Sequence, residues 1–330
     1  MSRILMLGAP GNISASSIEA LSAEHHAICA LTHPKKDLDS YGGKVTFYFG
    51  DRDNPADLAA AREQAKADIV IDYSCFRPEQ AELAVKTFCD TVKQYIFVST
   101  VDVYGYPLSQ LPMPENGSWN APNCEYAANK VLCEEIFQKP GSQRLPLTIV
   151  RPAYSMGNKF LLTALSREGG YSLVPRLRAG KPLFSPGDGT ALIHAGNAYN
   201  CGKMIARIAG DTRCIGEGFT LAHETVSTYD DYIRIVAGQL KTKPSFVHIP
   251  SDFVYCCNLP GTEDVLLNDL TRHNVYFDIS KFKRFFPDFR WEKSMQESVA
   301  EFIAYNEGKY DDLSLPSYED KLIEAYQNKA

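Results

Sequence analysis

The sequence predicts an α/β fold, a doubly wound parallel sheet followed by a smaller C-terminal domain. Short apolar runs alternate with amphipathic stretches over residues 1–150. The runs are continuously apolar, which is typical of parallel strands covered by helices on both faces. A loop containing glycines follows the first run directly, as expected where a ligand binds beyond the carboxyl ends of the strands.

The elements follow in chain order. The predicted strands are 4–7, 27–31, 45–49, 69–72, 95–99 and 147–150. The predicted helices between them are 14–22, 57–66, 78–91 and 125–138. After residue 154 the alternation weakens and Gly and Pro interrupt the segment 169–189. We therefore expect a nucleotide-binding domain over 1–154 and a substrate-binding domain over 155–330, with some of its elements returning to the main sheet.

Composition excludes several classes of protein. The chain is 45% hydrophobic and 22% charged, with a net charge of −6, which is ordinary for a globular protein and gives no global attraction to nucleic acid. No apolar stretch approaches the roughly 18 residues of a membrane span. Nine cysteines occur without a C-x-x-C pair, and no H-E-x-x-H is present. We expect reduced thiols, a cytoplasmic protein and no metal site.

The loop from Gly8 to Ser14 has the spacing G-x-x-G-x-x-S. Gly8 permits a tight turn and Gly11 a close approach of the backbone to a pyrophosphate, while Pro10, Asn12 and Ile13 complete the loop. A plain strand-to-helix turn explains two glycines equally well. The position directly after the first strand favours the phosphate-binding interpretation.

The end of the second strand bears on the cofactor. An acidic residue there binds a free ribose 2′-hydroxyl, and this sequence has none. Thr32, His33, Lys35 and Lys36 stand there instead. Solvated surface lysines are common, but the pattern favours NADP(H) over NAD.

Tyr126 and Lys130 form a Y-x-x-x-K pattern, which places both side chains on one helical face. A nearby ammonium lowers the pKa of a phenol and makes it a usable acid or base. The pattern also occurs at Tyr199 and at Tyr305, so by itself it is weak evidence for a catalytic role. Tyr126 differs because it follows a strand that ends in hydroxyl residues, among them Thr100.

Taken together, the ordered motifs resemble the extended short-chain dehydrogenase/reductases, the NAD-dependent epimerase/dehydratase family, in a form like UDP-glucose 4-epimerase with an atypical substrate site. The resemblance covers residue 3 to about 305. It includes the glycine loop, 50–51, S-T-x-x-V-Y-G at 99–105, Y-x-x-x-K at 126–130, R-P at 151–152, 186–189 before Ile193-His194, and 278–281.

The resemblance implies a Rossmann-type fold and a role for each matching residue. Thr100 would hold the substrate oxygen, Tyr126 would be the acid/base, and Lys130 would tune Tyr126 and bind the nicotinamide ribose. The cofactor contacts would also include Asp51 at the adenine, Pro152 beside the nicotinamide, and Arg52, Tyr73 and Ser74. Predicted substrate contacts are Asp102, Tyr154 and Arg77. For Asp102 two interpretations stay open, a second acid/base and a turn-stabilising carboxylate, and we favour the second.

The sequence departs from the family at the substrate side. Dehydratases carry T-D-E before V-Y-G, and Val101 here replaces the acid. Relatives that bind nucleotide sugars have Asn where Tyr154 stands, and a diphosphate-binding Arg where Thr190 stands. A lysine side chain cannot replace the two parallel hydrogen bonds that an arginine guanidinium donates to a phosphate group. Other cations could compensate, namely Arg176, Arg178, Lys181 or Arg272.

These residues predict an NAD(P)-dependent oxidoreductase or epimerase acting on a sugar or sugar-nucleotide hydroxyl or ketone by hydride transfer. Its partner would be a small sugar-like substrate, with no membrane, no nucleic acid and, by family analogy, a homodimer. The alternative is a non-catalytic relative that binds RNA or a protein, for which the basic segment 176–181 is the candidate surface.

Overall fold

The computed structural model describes residues 1–34, 38–139, 142, 144–165, 172–257, 259, 267–309 and 317–329. The predicted cofactor contact Lys35 lies outside these residues. The strands are β1 (Arg3–Leu7), β2 (Ala27–Thr32), β3 (Val45–Phe49), β4 (Ile69–Asp72), β5 (Gln94–Val98), β6 (Leu147–Pro152), β7 (Ser155–Met156), β8 (Leu183–Pro186), β9 (Leu192–Ile193), β10 (Gly196–Asn197), β11 (Gly218–Leu221), β12 (Ser227–Thr228) and β13 (Phe246–Ile249).

The α-helices are α1 (Ser14–Ala23), α2 (Pro55–Ala65), α3 (Pro78–Phe88), α4 (Glu125–Gln138), α5 (Leu173–Arg178), α6 (Ala198–Ile208), α7 (Tyr229–Gln239), α8 (Ser251–Cys256), α9 (Ser280–Phe285), α10 (Met295–Tyr305) and α11 (Tyr318–Gln327). A short 3-10 helix, Val101–Tyr104, follows β5. None of the described helices combines the length and apolar character that a membrane span needs.

A seven-stranded parallel sheet forms the centre, in the order β11-β6-β5-β4-β1-β2-β3. The chain passes from β3 at one edge back to β4 beside β1. The loops after β1 and β4 therefore leave the sheet toward opposite faces and open a crevice at the carboxyl ends. The predicted doubly wound α/β fold is confirmed.

Two apolar layers cover the sheet. In β1, Ile4 and Met6 face a layer that includes α1, α6 and α9, while Leu5 and Leu7 face a layer that includes α2, α3 and α4. Successive side chains point to opposite faces, so a strand buried on both sides must be apolar throughout. This explains the continuous runs in the sequence.

The C-terminal half contributes to the main sheet and also forms its own core. β11 pairs with β6 at the sheet edge, and β8 with β13, β9 with β12 and β7 with β10 form small separate sheets. A third apolar cluster joins α5, α7, α10 and α11 to the segment that follows β5. The boundary after residue 154 stays a prediction.

Candidate active site

A cavity of about 420 Å³ lies at the carboxyl ends of β1, β4, β5 and β6. Most of the residues predicted from the sequence line it. They are Gly8, Gly11, Asn12, Ile13, Tyr73, Thr100, Asp102, Tyr126, Lys130, Pro152 and Tyr154. The structure thus brings together segments that are up to 146 residues apart in the chain. This is the position where the fold class binds its ligands.

The glycine loop has a shape that side chains would prevent. Gly8 has a φ of +84°, and a Cβ there would lie 2.7 Å from the Cβ of Ser74. The N–H of Gly11 donates to Ser14 Oγ at 2.7 Å. The first turn of α1 contains no acidic residue. Its N-terminal N–H groups and the helix dipole can therefore hold a phosphate group.

Tyr126 and Thr100 both line the cavity. Tyr126 is 40% exposed at the mouth of the cavity, while Thr100 is buried at the end of β5. Although part of the ring is exposed, desolvation of the phenol and the charge of Asp102 raise the pKa of Tyr126 above its ordinary value, and the neighbouring Thr100 hydroxyl opposes them. The sequence-based expectation of a lowered phenol pKa is therefore wrong for this structure.

The hydrogen bonds of Lys130 explain why the pKa of Tyr126 is not lowered. Its Nζ donates to the carbonyls of Cys75 and Val98 at 2.7 and 2.8 Å, and lies 5.9 Å from the centre of the Tyr126 ring. The rings of Phe76 and Phe97 lie 4.8 and 4.9 Å from the same nitrogen. Burial lowers the pKa of Lys130 to about 8. The ammonium is engaged by these groups and does not lower the pKa of the phenol.

The orientation of α4 depends on Glu134, which was not predicted from the sequence. Glu134, one turn after Lys130, is buried and accepts hydrogen bonds from Ser99 Oγ at 2.6 Å and from Arg151 Nε and Nη2 at 2.9 and 2.6 Å. These bonds fix α4 against β5 and β6. A buried carboxylate needs such partners, but nothing in the sequence indicates which cation it would find.

Asp102 lies in the turn after β5 and also lines the cavity, and both interpretations of its carboxylate stay predictions. Its backbone N–H donates to Thr100 Oγ1 at 3.3 Å, which stabilises the turn after β5. Its carboxylate accepts from the hydroxyl of Tyr106 at 3.2 Å and lines the cavity. Tyr154 lines the opposite wall beside Phe160, with ring centres 6.3 Å apart. Phe76, which the sequence reading did not assign, is exposed and also lines the cavity.

The remaining predicted contacts lie outside this cavity. Pro10 lines an adjoining cavity of about 560 Å³. Thr32 is buried and His33 exposed at the end of β2. Asp51 is exposed, and Ser74 bonds to Asp72.

Two arginines are engaged within the protein. Arg52 is buried and paired with Asp72, which corrects its assignment as a cofactor contact. Arg77 pairs with Asp53 at 2.5 Å and does not line the cavity, so its contact with the substrate stays a prediction.

The four cations suggested as a replacement diphosphate clamp are all ion-paired. Arg176 is fully buried and donates to Asp320 at 2.8 Å, and Lys181 lies 3.3 Å from the same carboxyl group. Arg178 pairs with Glu307 at 2.7 Å, and Arg272 with Asp252 at 2.7 Å. The described residues contain no group of three or more side chains arranged to bind a metal ion.

The strand order and the glycine loop define a dinucleotide-binding α/β protein. A family model described as the NAD dependent epimerase/dehydratase family matches residues 4–206. The chain belongs to this family.

Individual relatives are more distant. The chain is 24% identical over 320 residues to "2'-dehydrokanamycin reductase" from Streptomyces kanamyceticus, covering 95% of this chain and 87% of that protein. It is similar to the structure of the Bordetella bronchiseptica enzyme WbmH in complex with NAD+, with a TM-score of 0.69, 16% identity and coverage of 93% and 99% of the two chains. It is also similar to UDP-glucuronic acid 4-epimerase from Bacillus cereus, with a TM-score of 0.69, 17% identity and the same coverages. At these identities the solved structures show the fold.

Proposed function

We propose that the protein is an NAD(P)-dependent reductase of a sugar-like ketone. The observation that carries the proposal is the meeting of Thr100, Tyr126 and Lys130 with the glycine loop in one cavity. The family membership and the reductase among its relatives support the same reaction type.

The residues present fit a dinucleotide. The tight turn at Gly8, the N-terminal end of α1 and the cavity in front of them suit a pyrophosphate with a sugar on each side. Gly8, Gly11, Asn12 and Ile13 would hold the phosphates, and Tyr73 and Pro152 would flank the nicotinamide. When bound, the group supplies a hydride to the carbonyl carbon.

The side chains of this chain perform the proton transfer. Thr100 orients the carbonyl oxygen by a hydrogen bond, and Tyr126 donates its proton to that oxygen as negative charge develops there. A phenol with a raised pKa is protonated at neutral pH and is ready to donate. Lys130 would move from its two carbonyl partners toward the nicotinamide ribose.

The cofactor preference and the assembly are further proposals. We infer NADP(H) over NAD(H) because β2 ends in Thr32 and an exposed His33, with no acid among residues 32–34. A cytoplasmic homodimer is our inference from the resemblance. The RNA-binding alternative loses support because Arg176, in its candidate basic segment, is buried.

The test uses the purified chain with NADPH and NADH and a panel of keto sugars, with UDP-glucose included. Tyr126→Phe removes the acid and we expect turnover to fall about 100-fold or more, while cofactor binding stays unchanged. Tyr326→Phe, which lines neither this cavity nor the adjoining one, is the control. Full activity of Tyr126→Phe contradicts the mechanism. Interconversion of UDP-sugars without net NADPH consumption identifies an epimerase instead.

A further inference from the structure

The cavity in front of Thr100 and Tyr126 carries a single acidic side chain among its described lining residues, that of Asp102. Asp102 is 8% exposed. The hydroxyl of Tyr106, itself buried, donates to its Oδ1 at 3.2 Å and fixes the carboxylate at the wall. The turn that contains Asp102 is closed by its backbone N–H and Thr100 Oγ1.

Positive charge is scarce at the same place. Among the described residues that line the cavity, Lys130 is the one cationic side chain. It is 1% exposed, lies beneath Phe76 and bonds to two backbone carbonyls. The four cations that the sequence suggested for a diphosphate, Arg176 and Arg272 among them, are ion-paired, and Lys159 lines the adjoining cavity. The described cavity therefore does not complement a substrate with two phosphate groups.

Aromatic side chains form much of the rest of the wall. Phe76 and Tyr126 have ring centres 6.4 Å apart, and Tyr154 and Phe160 stand 6.3 Å apart. The faces of aromatic rings pack against apolar surface and attract cations. One carboxylate in a cavity lined by such rings complements a ring-shaped polyol that carries a positive charge.

We propose that the substrate is a sugar or cyclic polyol bearing an ammonium group, and that Asp102 pairs with this group. The inference rests on the proposed function, because it assigns the substrate of the same cavity. Asp102 is then a specificity-determining residue: it selects a cationic substrate over a neutral or phosphorylated one and so places the neighbouring carbonyl at Thr100 and Tyr126. A charge-assisted hydrogen bond of this kind is worth about 10- to 100-fold in affinity.

The test measures the dissociation constants of glucosamine, N-acetylglucosamine, glucose and UDP-glucose for the NADPH-loaded protein, at a pH where the amine of glucosamine is protonated. We expect glucosamine to bind about 10-fold or more tightly than glucose and N-acetylglucosamine. Asp102→Asn should remove this preference and leave NADPH affinity unchanged. Asp252→Asn, at an exposed carboxylate paired with Arg272, is the matched control and should keep the preference.

Each other result counts against the inference. Equal affinities for the amine and its neutral analogues, undetectable glucosamine binding, tighter binding of UDP-glucose, or a preference that survives in Asp102→Asn overturns it while leaving NADPH-dependent reduction intact. If Asp102→Asn does not fold, the dissociation constants of glucosamine and N-acetylglucosamine for the unmodified protein test the proposal, and equal values overturn it. Failure of the protein to bind NADPH overturns the proposed function and this inference with it.

Discussion

Tyr126 is the side chain whose protonation should dominate the pH dependence of this site. The reverse reaction, oxidation of an alcohol, needs the phenolate, so its rate should rise as the pH increases toward the pKa of Tyr126. Burial and Asp102 place that pKa far above the ordinary value. The oxidation rate should therefore still be rising at the highest pH that the protein tolerates.

Asp102→Asn should move this rise to lower pH. The neutral amide no longer repels the phenolate, so the pKa of Tyr126 should fall. The measurement is the initial rate of NADP+ reduction against pH, with the alcohol product of any ketone that the protein reduces. An unshifted profile would show that Asp102 does not act on Tyr126, and Asp188→Asn, at an exposed position outside the cavity, is the control.

His33 should influence the choice of cofactor. It is exposed at the carboxyl end of β2, where the 2′ position of the adenosine ribose lies in this fold class. His33→Asp places a negative charge there, and we expect the dissociation constant of NADPH to rise about 10-fold while that of NADH stays level or falls. Fluorescence titration measures both constants. His25→Asp adds the same charge near the opposite end of β2 and should change neither; an equal effect of both variants on NADPH would contradict the assignment.

At the scale of elements, α1 and α6 pack unusually closely, and a glycine makes this possible. A Cβ on Gly202 would lie 2.0 Å from Ser16 Oγ and 2.4 Å from the carbonyl oxygen of Ile13. Ser17 Oγ donates to the carbonyl of Gly202 at 2.9 Å across the same contact. The N-terminal turn of α1, which would hold the phosphates, therefore rests directly on α6.

Gly202→Ala should push the two helices apart. We expect a loss of about 1–3 kcal/mol in the free energy of unfolding, the usual cost of overpacking, together with weaker NADPH binding because the loop before α1 shifts. Urea denaturation and cofactor titration measure the two effects. The matched variant is Gly238→Ala in α7, where an added Cβ meets nothing within 4 Å, and it should be neutral or slightly stabilising. Equal stabilities of the two variants would contradict the prediction.

The elements were largely predictable because their signals are local. Each predicted strand of the first 150 residues corresponds to one of β1 to β6, within two residues at either end. β11 was missed, since a four-residue strand within a weakly patterned segment has no periodicity to detect. Helix α3 ends at Phe88, three residues before the predicted end, and Asp90 beyond it has a φ of +59°.

Sequence motifs predicted some of the residues of the candidate site and none of their ion-pair partners. The glycine loop, Thr100, Tyr126 and Lys130 were found by spacing, and the structure places them together. The pairing of Arg52 with Asp72 and of Arg176 with Asp320 depends on tertiary contacts between residues 20 and 144 positions apart. Single-sequence patterns contain no information about such partners, so both arginines looked like free charges. The hydrogen bonds of Lys130 to the carbonyls of Cys75 and Val98 were not predicted, for the same reason.

For the whole molecule, the homodimer inferred from the resemblance is open to a direct test. We infer that the pairing would use helices of the main domain, where Leu132 on α4 is 44% exposed. Leu132→Glu would put a charge in an apolar contact, so we expect the dimer dissociation constant to rise about 10-fold or more. Analytical ultracentrifugation measures this, with Glu135→Gln on the same helix as the control. A wild-type protein that is monomeric at every concentration would contradict the inference.

The pairing of β11 with β6 affects how the chain folds during its synthesis. β6 is mostly buried, and one of its edges is covered by β11 and by Gly216 and Glu217 just before it. A ribosome releasing the chain from its N-terminus would present β6 with an open edge until those residues emerge, and such edges associate with other chains. A fragment that stops at residue 206, where the family model ends, would keep this edge exposed permanently. We therefore expect premature termination in this interval to yield aggregates, although every segment of the glycine loop and the proton-transfer residues would already be present.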